Sequence, residues 1–201
     1  MASISVSGDL KKFKKALTRI QKKQVPFALS NTINDLAFKS RPAEQNVMRQ
    51  MIDRPTPFTQ KGIFVEKSNK RTLKARVKIT PARWKYLQKI VNGGTSTRSS
   101  GSHAIAVNEG LSNKYGNLPR NKSRTLAKRK NHFKATINGR SGIWKREGGK
   151  RSRALSLQIV HKKTINVRRS YKPWVATQRI VKSNFSSAFN KSMTGALRTA
   201  F

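Results

Sequence analysis

Apolar residues recur every three or four positions in three long stretches of the chain. Leu10, Phe13, Leu17 and Ile20 make the first stripe, behind Ser7-Gly8-Asp9, whose Ser or Asp can cap a helix start. This predicts a basic helix over 8–24, because Lys11, Lys12, Lys14, Lys15, Arg19, Lys22 and Lys23 fill its other positions. That cationic side reads as the solvated face of a packing helix or as a phosphate-contacting face, and the two are compatible. Leu29, Ile33, Leu36, Val47 and Met51 carry a second stripe across 30–52, after a helix start at Val25-Pro26. Pro42 interrupts it, yet the period continues, which predicts one kinked helix rather than two. The third stripe is Val181, Phe185, Phe189, Met193 and Ala196, in a helix over 175–199 introduced by Pro173-Trp174. Its other side is small and polar, and suits packing on another chain.

Alternation with a period of two takes over between these helices. Residues 62–67 and 73–80 predict a hairpin around the polar turn 68–71. In the second strand Leu73, Ala75, Val77 and Ile79 alternate with Lys74, Arg76 and Lys78, giving one buried and one cationic face. Pro81 opens a short helix to Val91, with Trp84, Leu87 and Val91 on one side, and Asn92-Gly93-Gly94 ends it as a C-cap. Residues 95–102 (TSTRSSGS) read as a mobile low-complexity tract, and 103–107 as a strand. The stretch 111–120 (LSNKYGNLPR) combines Asn, Gly and Pro and reads as an ordered surface loop. Residues 121–130 predict a short basic helix with Leu126 and Ala127 as its apolar residues. Strands 133–138 and 142–146 form a second hairpin around residues 138–141; 148–153 (GGKRSR) is a basic turn; 154–160 is an apolar strand and 164–171 an extended basic one.

Charge narrows the possible functions. Lys and Arg number 45 against 7 acidic residues, a net charge of +38. Such a chain repels itself and is most comfortable beside a polyanion or in an assembly that supplies opposite charge. Nucleic acid comes first and an acidic protein surface second. A membrane surface ranks third, because the aliphatic residues are not gathered in one interfacial helix. The N-terminal stretch has no apolar signal-peptide core, and no run approaches a membrane span of about 20 apolar residues. There is no Cys, so thiol chemistry, disulfides and Cys-based zinc sites are excluded.

Catalytic patterns are missing too. Asp9, Asp35, Glu44, Asp53, Glu66, Glu109 and Glu147 are scattered and make no close pair of the kind a two-metal nuclease or a glycosidase uses. His103, His132 and His161 stand singly and read as strand residues. Gly148-Gly149-Lys150-Arg151 lacks the upstream Gly and the hydroxyl of a phosphate-binding P-loop. Trp84, Trp144 and Trp174 lie beside apolar residues and read as packing residues rather than base-stacking platforms. An enzyme acting on a polyanion is the least favoured reading, and no cofactor, metal or small-molecule substrate is expected.

The chain also resembles the minor tail protein Z and tail-completion family of long-tailed phages. The resemblance rests on KKFKKALTRIQKKQVPFALSNTINDLAFKSR, then YLQKIVNGGT, NEGLSNKYGNLPRN and GRSGIWKR in that order, from about Leu10 to about Trp174. It implies a virion protein near the head–tail junction, forming a ring around the DNA path, assembled in the host cytoplasm. It also implies an α+β domain. Joined to the elements above, that means an antiparallel sheet from two hairpins plus further strands, packed against a long kinked N-terminal helix and a C-terminal helix. One domain over 1–201 is expected, with 8–24 and 174–199 as packing or assembly arms. The expected partners are copies of the same chain, neighbouring connector and tail proteins, and genomic DNA in the lumen. The resemblance carries over no catalytic residue and reaches no motif in 95–102.

The candidate contacts to nucleic acid or an acidic partner are therefore the cations concentrated in turns. Lys122, Arg124, Lys128, Arg129 and Lys130 come first, then Lys150, Arg151 and Arg153, then Lys11, Lys12, Lys14 and Lys15. The alternative is a free, sequence-independent nucleic-acid-binding protein of nucleoid or ribosomal type.

Overall fold

A computed structural model describes residues 3–6, 21–148 and 154–198. The first apolar stripe with Lys11, Lys12, Lys14 and Lys15, and the turn residues Lys150, Arg151 and Arg153, lie outside the described residues. The chain is α+β. Backbone contacts group it into two compact units, Met1–Val91 with Ser170–Phe201, and Asn92–Arg169.

In the first unit, β1 (Ser3–Val6) and β2 (Ile63–Glu66) flank β3 (Ala75–Ile79) in an antiparallel three-stranded sheet. The predicted 62–80 hairpin is its β2–β3 half, whereas β1 carried no strand pattern in the sequence reading. Helix α1 (Gln21–Met51) and helix α5 (Val175–Arg198) pack along each other. Ile33, Met48, Ile63, Val77, Ile79 and Leu87 are fully buried between these helices, the sheet and α3 (Pro81–Asn92). On α5, Val181, Phe185, Phe189 and Met193 pack against this core, as the third stripe predicts.

Helix α1 is one element through Pro42, but it begins by Gln21 rather than at Val25-Pro26. Pro26 therefore lies inside the helix rather than at its start. Pro42 is exposed, and so is Phe38, whose carbonyl loses its usual donor. That carbonyl lies on the outer side of the helix, so the interruption costs little buried hydrogen bonding. A short helix, α2 (Pro57–Gln60), follows, capped by the Thr56 hydroxyl accepting from the Thr59 N–H at 3.2 Å.

In the second unit, β5 (His103–Ala106), β8 (Leu155–Lys162), β7 (Arg140–Arg146) and β6 (His132–Ile137) lie side by side in that order, all antiparallel. The two predicted hairpins thus belong to different sheets. The β6–β7 turn is only Asn138-Gly139, both with positive φ (49° and 74°), so Arg140 and Ser141 are already strand. This is the two-residue turn whose twist suits a hairpin.

A correction concerns 95–102. Its first part is not mobile: β4 (Gly94–Thr97) pairs with β9 (Thr164–Val167), and Ser96 is buried. The polar composition concealed a β-branched strand whose partner lies about 70 residues away, and only that partner orders it.

Candidate nucleic-acid interface

Helix α4 (Lys122–Ala127) is anchored by one side chain. Leu126 is buried with Ile143 of β7 and Ile159 of β8, and Leu111, Leu118 and Ala127 close around them. Arg124 and Thr125 are exposed on its other side. The loop before it is ordered, as its composition predicts. The Asn113 side-chain carbonyl accepts from the N–H groups of Tyr115 (3.0 Å) and Asn117 (3.1 Å), and Gly116 supplies a φ of 74°. Ser123 at the start of α4 lies 3.1 Å from His161 Nε2 of β8, a second tie between helix and sheet. Burial, and then the charge of Lys134, push the His161 imidazole below its ordinary value.

Of the predicted contacts, Arg124, Lys128, Arg129 and Lys130 are exposed and Lys122 is half-buried. The chain leaves α4 through Asn131, whose φ of 66° redirects it into β6. Arg146 is brought back to this corner, donating its backbone N–H to the Asn131 carbonyl at 2.8 Å. Its guanidinium lies 5.1 Å from the centre of the Phe133 ring. Lys130, Asn131, His132, Phe133 and Arg146 line an open concavity of about 440 Å³. Among the described residues no carboxylate lines it, although Glu147 stands close enough to His132 to feel its charge. Lys128 and Arg129 precede it directly, whereas Lys122 and Arg124 lie further back on α4 and do not line it.

Arg146, His132 and Phe133 were not among the candidate contacts read from the sequence, where His132 reads as a strand residue, as it is in β6. The signal was there: a two-residue turn at Asn138-Gly139 sets the register, and counting back places His132 opposite Lys145 and Asn131 level with Arg146.

Elsewhere, several cations already have partners. Arg76 and Lys78 reach Glu66 at 3.2 Å and 2.5 Å, so the cationic face of β3 is partly neutralised. The Lys78 and then the Arg76 hydrogen bond hold the Glu66 carboxyl below the usual range. Lys145 and Ser156 do the same to Glu147. Cations also use aromatic faces: Arg83 lies 3.9 Å from the Phe58 ring centre and Lys70 4.8 Å from that of Phe27.

Trp84 and Trp174 pack against the first unit's core and Trp144 is buried, its indole N–H donating to the Ala135 carbonyl at 3.2 Å. Among the described residues, no group of three or more His, Cys, Asp or Glu side chains could hold a metal ion, and no helix is long and apolar enough to cross a membrane. No family model, curated protein or solved structure matches the chain.

Proposed function

We propose that the protein is a structural component of a tailed-phage neck or tail end, ring-forming, with cationic surfaces that meet DNA or acidic neighbours without sequence preference. The observation that carries the contact is the corner where Lys130 meets Arg146 at a concavity whose lining holds no carboxylate, with exposed Lys128 and Arg129 just before it in the chain. Arg and Lys presented from a helix end and a strand end suit phosphate oxygens, and contacts to phosphate carry no sequence information. The phage assignment rests on the sequence resemblance.

The outer side of α5 is compatible with assembly. Ser183 donates to the Arg179 carbonyl at 2.7 Å and Thr194 to that of Asn190 at 2.9 Å, so these hydroxyls stay satisfied when another chain covers them. Burying that face then carries a small desolvation cost.

Generic duplex DNA titrated at several salt concentrations tests the contact. Affinity falls by about 0.9 log units per contacted phosphate per decade of salt. A variant combining Lys128→Ala, Arg129→Ala and Lys130→Ala loses roughly one to three phosphates' worth of that slope. Salt-independent binding, or an unchanged slope in the variant, overturns the contact. Electron micrographs of the purified chain test the assembly: closed rings support it, and a monomer at every concentration overturns it.

A further inference from the structure

Within the first unit, α2 and α3 bring an exposed aromatic ring and an arginine into register. Phe58 of α2 is 55% exposed. The Arg83 guanidinium of α3 lies over its ring, 3.9 Å from the centre. The arginine is fixed in that position. Its Nε donates to the Phe58 carbonyl at 3.0 Å and its Nη1 to the Thr80 hydroxyl at 3.1 Å. Its stem lies against Gly62, where a Cβ would stand 3.0 Å from both Cγ and Cδ. Gly62 has no positive φ, so what the glycine provides is room for that stem and for the Thr59 carbonyl. The Nη2 amino group of Arg83 has no acceptor among the described residues.

Tyr86 lies one turn along α3 from Arg83, on the same side. Its hydroxyl bonds to that of Thr59 at 2.9 Å, which holds the ring, and the residue is 38% exposed. Trp84 and Leu87 of the same helix pack with the core, whereas Phe58 and Tyr86 do not. The two rings are therefore positioned by polar contacts and left open to solvent. Lys61 and Lys89, beside them in the chain, are exposed. The acid nearest to Phe58 in the chain, Asp53, is taken by Nε and Nη2 of Arg54, both at 3.0 Å.

We infer that this surface binds an unpaired strand of nucleic acid, with bases stacking on Phe58 and Tyr86 and phosphates taken by Arg83, Lys61 and Lys89. Cations alone suit any polyanion, but open ring faces among cations match a base carried next to a phosphate. Bases in a duplex are already stacked on one another, so the strand is single. The inference does not rest on the virion reading. It also differs from the Lys130–Arg146 corner, whose contact is to phosphate.

The full chain and single strands of about 12 nucleotides test it: oligo-dT, oligo-U and an abasic strand of equal length and charge. Oligo-dT, oligo-U or both bind at least about tenfold more tightly than the abasic strand. Phe58→Ala removes about tenfold of the affinity for the base-bearing strand and none of that for the abasic strand or for duplex DNA. Phe58→Trp keeps the affinity, and its added fluorescence is quenched as the strand binds. Phe58 is more than half exposed, so both variants melt within a few degrees of the parent. All strands carry the same phosphates, so the difference between them is independent of the Lys128–Lys130 contact. Equal affinity for base-bearing and abasic strands, a Phe58→Ala variant that binds like the parent, or an unquenched Phe58→Trp variant overturns the inference. So does a Phe58→Ala variant that loses affinity for a Glu-rich peptide, or loses self-association, while its binding of the strand is unchanged.

Discussion

Glu44 is a fully buried carboxylate in the middle of α1, and its partners are backbone groups of a distant element. It accepts from the N–H of Thr177 at 2.7 Å and of Trp174 at 3.1 Å, capping the start of α5. Trp174 adopts a φ of 75°, unusual for a bulky residue, and its bond to Glu44 holds that turn in place. Beside this cap lies Tyr171, also fully buried, whose hydroxyl has no hydrogen-bond partner among the described residues. Burial first, and the Glu44 charge second, push its ionisation well above the ordinary value of 10.0. The neutral phenol is thus the form the fold requires. Its contribution is complete below pH 10.0 and declines above it, where the unfolded chain gives up the proton and the folded one keeps it. Melting temperature followed from pH 8 to about pH 11 should fall less steeply for Tyr171→Phe than for the parent. At neutral pH the two should agree within about 1 kcal/mol or favour Phe, because no protein hydrogen bond is lost. Parallel alkaline limbs would contradict this account of the hydroxyl.

The β7–β8 pair carries its own constraint at the scale of elements. A methyl group on Gly142 would run into the carbonyl oxygen of Ile159 and stand 2.8 Å from Leu157 Cδ1. Both obstacles belong to the adjoining strand next to the bulge at Ile143–Trp144; the Leu157 methyl can turn aside, but the Ile159 carbonyl is backbone and cannot. Gly142→Ala should therefore lower stability by about 1–3 kcal/mol in urea unfolding. The Trp144 environment should change with it, since that ring follows directly in β7. A variant as stable as the parent would mean that the strands separate more easily than this packing suggests. Helix α4 contrasts with this. One buried residue, Leu126, and the Ser123–His161 tie hold it, so its basic end stays outside the packed part of the unit.

The whole molecule is dominated by a net charge of +38. Its few carboxylates are used locally, for Arg76 and Lys78 by Glu66, for Lys39 by Asp35 and for Lys145 by Glu147. These surface pairs are each worth little. Self-repulsion among the remaining cations weakens the compact state, and added salt screens it over about 10 Å at 0.1 M. Melting temperature should accordingly rise as sodium chloride is raised from about 10 mM to about 150 mM. A flat or falling temperature would show that the cations lie too far apart to repel one another strongly.

Local pattern was enough for most of α1, for α3, α4 and α5, for both hairpins and for the packing roles of Trp84 and Trp144. Period, turn chemistry and proline act within a few residues, and the chain displays them directly. The sequence also determined the cationic character of Lys128–Lys130 and the ordered Asn113–Asn117 turn. Tertiary structure alone decided three things: that β4 is a strand, that Glu44 caps α5, and that Arg146 joins Lys130. Each joins residues far apart in the chain, where composition and period carry no information about which partner will be met.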